Sequence, residues 1–182
     1  KSYDCNPELS KRLLSEAGYP LGKGLPTITL STTASYLDLC KYIQQQLGLI
    51  GINVKLDVAP PAALRESMAQ GKVEWFRGSW IADYPEAENY LALFYSPDRS
   101  PKGSNYTAFS SKEYDRLYEK ARQETDPEKR IALYTKMNAL LIEQAPVVVL
   151  YYDQILRFAQ RNIIGLEPNP MNHLVLKTVK KQ

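Results

Sequence analysis

Between Thr27 and Arg77 the apolar residues switch back and forth between the period of a strand and the period of a helix. Thr27 to Thr32 reads as a strand, with Ile28 and Leu30 on one side. Tyr36, Leu39, Cys40, Ile43, Leu47 and Ile50 then recur at helical spacing, which predicts an amphipathic helix over 35–48, closed by Gly51. Ile52, Val54, Leu56 and Val58 alternate with Asn53, Lys55 and Asp57, the pattern of a half-buried strand. Pro60-Pro61 starts a second helix reaching Gln70, and Gly71-Lys72 turns into an aromatic strand from Val73. Strands alternating with helices imply parallel pairing through right-handed crossovers. The expected fold class is therefore α/β, a mostly parallel sheet with flanking helices.

In such sheets ligands bind beyond the carboxyl ends of the strands. That rule draws attention to Val73–Ser96, where the aromatic strand breaks at Gly78-Ser79 and sets Trp80, Asp83 and Tyr84 beside Pro85. A carboxylate flanked by Trp80, Ala82 and Tyr84 loses solvent and needs a partner. A ligand ammonium would supply charge-assisted hydrogen bonds, about twice as strong as neutral ones. From spacing alone Asp83 reads first as a cap or turn before a helix starting near Glu86. Trp75 reads as core. Trp80, after the Gly-Ser break, is less readily packed away. Arg77 lies six residues before Asp83. It reads as a strand residue reaching solvent or an ion pair, with a ligand carboxylate as the alternative.

The flanking segments divide cleanly. Asn6-Pro7-Glu8 begins a helix with Leu9, Leu13 and Ala17 on one face and Gly18 as its stop. After Pro85 a helix is expected, with Tyr90, Leu91, Phe94 and Tyr95 on its apolar side. Residues 96–110 read as a loop, and Ser110 with Glu113 as a capping box. Two helices follow, one carrying Tyr114, Leu117, Tyr118 and Ala121. The other starts at Asp126-Pro127 with Leu133, Met137, Leu140 and Leu141 inward and stops at Ala145-Pro146. Val147–Tyr152 predicts a strand buried on both faces, extended or followed by Ile155–Phe158. A loop over 162–172 and a short strand over Leu174–Val179 complete the chain.

At 182 residues and 44% apolar composition, one core-forming domain is expected. A net charge of +3 with both signs dispersed gives no case for nucleic acid. The Lys177, Lys180, Lys181 cluster reads as a solvated tail. Cys5 and Cys40 match no metal or redox spacing and read as unpaired thiols, and His173 is the only histidine, so neither a metal nor another cofactor is expected. Glu86 and Glu88, two apart, fall on different helix faces and do not make an acid/base pair. No nucleophile–base pair can be assembled, so the chain is not expected to be an enzyme.

The pattern resembles the C-terminal part of the extracytoplasmic solute-binding proteins of peptide-importing ABC transporters, the family 5 oligopeptide- and dipeptide-binding proteins. Asn6-Pro7-Glu8 through Lys11–Tyr19, Gly78-Ser79-Trp80-Ile81-Ala82-Asp83-Tyr84-Pro85 with Glu88-Asn89-Tyr90-Leu91, and a third block carry the resemblance. The third block comprises Asn105-Tyr106, Tyr114-Asp115, Asp126, Arg130, Leu133-Tyr134, Ala145-Pro146-Val147 and Tyr151-Tyr152. It implies a periplasmic-binding-protein-like lobe with a C-terminal helical pair. Residues 1–150 would form the second ligand-binding lobe, and 151–182 would return to a first lobe encoded by sequence outside this chain. It implies that Asp83 meets a peptide's amino terminus, that Arg77 in some members helps meet its carboxylate, and that Trp80 and Tyr84 line the site. Ser79 departs from the Gly or Ala of many relatives. The implied partners are a peptide and a membrane permease, with the protein a monomer in the periplasm or cell envelope, lipid-anchored or free. The same scaffold carrying a nickel chelate, haem, a sugar or an opine is the alternative, and an enzyme fragment a more distant one. The chain opens on Lys1-Ser2-Tyr3 without an initiator Met and is expected to be part of a longer protein.

Overall fold

The computed structural model describes residues 4–169, 171 and 173–182, which leaves the opening Lys1–Tyr3 and, in the loop expected over 162–172, Pro170 and Asn172 outside the described residues. Helix α1 spans Pro7–Glu16, with the Asn6 side chain accepting from Leu9 N at 2.9 Å. Strand β1 (Ile28–Thr32) leads through a 3-10 turn to α2 (Leu37–Gly48), and β2 (Val54–Val58) leads to α3 (Pro61–Ala69). β1 and β2 pair in parallel, Ile28 opposite Val54 and Thr32 opposite Val58. These elements follow the alternating periodicity closely. At the α2–β2 turn, Gly51 has φ +93°, and a Cβ there would lie 2.2 Å from the Leu21 carbonyl oxygen. Only glycine meets both conditions.

The third strand is shorter than its sequence predicts. Its parallel pairing is reduced to one bridge between Phe76 and Ser31. Ser31 N donates to Trp75 O and Arg77 N donates to Ser31 O, each at 2.9 Å. Since one strand residue directs its N–H and C=O to the same side, the 75–77 segment lies on the edge of β1 away from β2. The chain leaves the sheet at Gly78, so no further rungs form. Leu30, Cys40 and Val54 make the core of this half, with Trp75 packed against it, as expected for that residue. Cys40 Sγ lies 3.2 Å from Thr32 Oγ1, and both cysteines are free thiols.

A second core lies in the C-terminal half. Helix α4 is only Glu88–Leu91, continued by a 3-10 turn over Ala92–Phe94, so the helix expected after Pro85 is cut to little more than a turn. Tyr90, expected on its apolar side, is exposed. Helices α5 (Lys112–Gln123) and α6 (Pro127–Gln144) form the predicted pair. The α5 cap is Ser111, accepting from Tyr114 N, one residue beyond the Ser110 of the expected capping box. Asp126 caps α6, which starts where predicted, and Ala145 ends it with φ 47°. Phe94, Phe109 and Tyr114 meet edge-to-face, with centroids 5.5–6.4 Å apart, the arrangement favoured by ring quadrupoles. Leu91, Tyr118, Ala121, Leu133, Met137 and Leu141 complete this cluster.

Helix α1 buries no face, and two further expectations need correction. The α1 face bearing Leu9 and Leu13 stays open, and no residue of α1 is buried, because the helix packs chiefly on the turn at Pro20–Gly22. Val147–Tyr152 forms no strand: Val148 is 79% and Tyr152 81% exposed, and Phe158 beyond them is 92% exposed. Among the described residues no strand pairs with this run, so its backbone has no ladder to join. Leu174–Val179 is likewise irregular. The terminal pairing is instead antiparallel, between β3 (Ile163–Ile164) and β4 (Lys180–Lys181).

Asn105 is fully buried in the 96–110 loop. Its Nδ2 donates to the Tyr95 and Phe109 carbonyls at 3.2 and 2.9 Å, and its Oδ1 accepts from Thr107 Oγ1 at 3.0 Å. Asn105→Ala removes these bonds and leaves buried acceptors without their donor, which should cost about 2 kcal/mol. Chemical denaturation should show that loss with an unchanged denaturant slope.

Candidate functional site

Residues 77–87 form no helix or strand and run from the sheet core to the helical core. The far end of this run is held by three tyrosines of α5 and α6. Tyr114 Oη donates to the Leu91 carbonyl at 2.8 Å, Tyr118 Oη donates to Glu88 Oε1, and Tyr134 Oη donates to Glu86 Oε1 at 3.0 Å. Arg130 Nε adds an ion pair to Glu86 Oε1 at 3.3 Å. Glu86 and Glu88, expected as helix-terminal charges, thus serve mainly as hydrogen-bond acceptors.

Burial, reinforced by the Glu88 carboxylate, pushes the Tyr118 hydroxyl far above the ordinary tyrosine range. Burial does the same to Tyr114, with smaller contributions from Asp115 and Glu88. Tyr134 is pushed up to about 12 by burial and by its bond to Glu86. Tyr84 donates to Glu88 Oε2, and that bond is the main cause of its own raised pKa. Tyr84, Glu86, Glu88, Tyr118, Arg130 and Tyr134 line an open cleft of about 450 Å³.

Of the four residues singled out by sequence, the structure joins Trp80 and Asp83 through a fifth, Asn89. Its side chain is buried, 5% exposed. Trp80 Nε1 donates to Asn89 Oδ1 at 2.7 Å, and Asp83 N donates to the same oxygen at 3.3 Å. Asn89 Nδ2 donates in turn to Asp83 Oδ2 at 3.4 Å. Asp83 does not cap α4: the N-cap is Ala87, without a side-chain bond. The Asp83 side is exposed, and no basic side chain pairs with it among the described residues.

Tyr84 stands 44% exposed beside this group, tied to Glu88. Arg77 sits apart. Its guanidinium carbon lies 3.2 Å from the centroid of the Tyr36 ring, a cation–π contact. Its Nε is buried without a hydrogen-bond partner among the described residues. Asn89 lies within the Glu88–Leu91 motif, but its spacing carries no sign that its amide turns back toward Asp83.

The family model of the bacterial extracellular solute-binding proteins, family 5 Middle, matches residues 1–102. This chain belongs to that family. Among curated family 5 relatives, the dipeptide-binding protein DppE of Bacillus subtilis (strain 168) is 28% identical over 160 residues. The match covers 86% of this chain and 29% of the relative. The dipeptide-binding protein of Escherichia coli (strain K12) is 23% identical, over 94% of this chain and 33% of its own length. The chain thus spans between 29% and 33% of these two relatives.

Solved structures agree. A periplasmic oligopeptide-binding protein (OppAIV) of Borrelia burgdorferi superimposes with a TM-score of 0.79 at 28% identity, covering all of this chain and 38% of that one. DppA of Helicobacter pylori, solved in complex with the peptide STSA, gives 0.73 at 30% identity over 80% of this chain and 28% of that one. The periplasmic-binding-protein-like α/β fold and the helical pair are therefore those of the family.

The raised tyrosine pKa values have a consequence for stability. The folded chain retains these protons more tightly than the unfolded chain, so their contribution is complete below pH about 10 and is lost as pH rises from there. In an alkaline titration Tyr114 and Tyr118 should ionise only as helical circular dichroism disappears. Full ionisation of all tyrosines near pH 10 with the helices intact would contradict this network.

Proposed function

We propose that this chain forms one wall of a peptide-binding cleft in an ABC-importer solute-binding protein, with Asp83 receiving the peptide's ammonium group. The observation that carries this reading is an exposed carboxylate held at its backbone and at one oxygen by a buried amide, with no cation paired to it among the described residues. A buried amine would satisfy it through charge-assisted hydrogen bonds. Trp80 and Tyr84 would flank the peptide's first residues. Arg77, its guanidinium laid on Tyr36, would offer its outer nitrogens to a ligand carboxylate. The named relatives that bind dipeptides and oligopeptides support the peptide class.

On this reading residues 1–150 belong to the second lobe, and 151–182 return to a first lobe supplied by other sequence of the same protein. The exposed apolar side chains of Tyr151, Tyr152, Ile155, Leu156 and Phe158 support that division, since such a surface calls for a cover. The two lobes would close on the ligand by a hinge movement and deliver it, chemically unchanged, to a membrane permease. The protein would work as a monomer outside the cytoplasm, free in the periplasm or anchored at the envelope.

The test uses the whole protein. Mass spectrometry of copurified ligand should find intact peptides with free amino termini. A non-peptide solute, or consumption of added peptide, would overturn the reading. Calorimetry should show Asp83→Asn weakening a free-amine tripeptide at least about 30-fold, equivalent to about 2 kcal/mol.

A further inference from the structure

We infer that Asn89 is the positioning residue of the ammonium site: its buried amide sets the Trp80 ring and the Asp83 carboxylate relative to each other before any ligand arrives. This rests on the assignment of Asp83 proposed above and adds the group through which that carboxylate is held.

Three bonds converge on one side chain. Oδ1 accepts from both the Trp80 indole N–H and the Asp83 backbone N–H, at 2.7 and 3.3 Å, while Nδ2 donates to Asp83 Oδ2 at 3.4 Å. An amide suits this position because it combines an acceptor with two lone pairs and a donor in one plane. A carboxylate could accept from both N–H groups but would set a second negative charge against Asp83. Leucine would fill the space and bind none of the three.

Asn89 is itself anchored through its backbone. Asn89 N donates to the Glu86 carbonyl at 3.2 Å, and two residues along, the Leu91 carbonyl accepts from Tyr114 inside the helical core. The Asp83 backbone and one carboxylate oxygen are therefore tied to a buried core through Asn89, while Asp83 itself stays exposed to meet a ligand. Orientation of this kind lowers the ordering cost of binding rather than adding a ligand contact.

The experiment is a double-mutant cycle in the whole protein, with Asn89→Ala made in the wild-type and Asp83→Asn backgrounds. The probes are an equimolar tripeptide pool and the same pool N-acetylated. In the wild-type background Asn89→Ala should weaken the free-amine pool about tenfold and the acetylated pool less than about twofold; with Asp83→Asn present the tenfold effect should vanish. The Trp80 indole N–H resonance should shift in Asn89→Ala without ligand.

Equal losses for both pools, or in both backgrounds, would make Asn89 merely structural and overturn the inference. An intact free-amine preference in Asn89→Ala, alongside a lost one in Asp83→Asn, would overturn the inference alone. An intact preference in Asp83→Asn would overturn the assignment of Asp83 and the inference with it. If Asn89→Ala does not fold, Asn89→Ser serves in the same cycle, with the same preference loss expected and an unchanged preference counting against the inference.

Discussion

The candidate site depends on three tyrosine hydroxyls reaching from the helical pair to the segment 86–91. Besides the burial of Leu91 and the Arg130–Glu86 ion pair, these bonds are what fix that segment. Helix α4 is one turn long, lacks a side-chain cap, and is far below the length at which a helix is stable alone. Tyr114 is packed among Phe94 and Phe109, and its hydroxyl finds the Leu91 carbonyl. Tyr118 and Tyr134 take the carboxylates of Glu88 and Glu86. Each bond joins a buried or, at Tyr134, half-buried ring to the strip of chain that carries Asn89. A hydroxyl that must be buried needs a partner, and here the partner is the site's own backbone or its acidic residues.

This arrangement explains how an irregular stretch can carry a defined constellation. Residues 77–87 are fixed at one end by the hydrogen bonds of Trp75 and Arg77 to Ser31, and at the other by the tyrosines. Between those points the chain is free of ladder geometry. Trp80 and Asp83 can therefore take directions that a strand or helix would forbid. Loops held by a rigid scaffold commonly carry binding residues for this reason.

Much of the scaffold was legible in the sequence, because period and punctuation report local structure directly. β1, α2, β2, α3, α5 and α6 lie where the apolar spacing puts them, and Asn6 and Asp126 cap as their chemistry suggests. The misreadings share a cause: each needed to know what lies alongside. Val73–Arg77 has strand-forming residues, but only Phe76 reaches a rung of β1 before Gly78 turns away. Val147–Tyr152 has the composition of a buried strand and, among the described residues, no neighbour to pair with. Asp83 could be singled out by its aromatic neighbours, whereas Asn89 could not, since an asparagine on a polar helix start is ordinary until its amide is seen to face back. The stacking of Arg77 on Tyr36 joins positions far apart in sequence.

Reception of a peptide ammonium group by the Asp83 carboxylate, held by Asn89, is the proposal on which the rest turns. The most direct measurement is a structure of the whole protein with a bound free-amine tripeptide. The amino nitrogen should lie within about 3 Å of an Asp83 carboxylate oxygen, with Asn89 still bonded to Asp83 and to the Trp80 indole. An amino terminus seated elsewhere, with Asp83 turned to solvent, would contradict it.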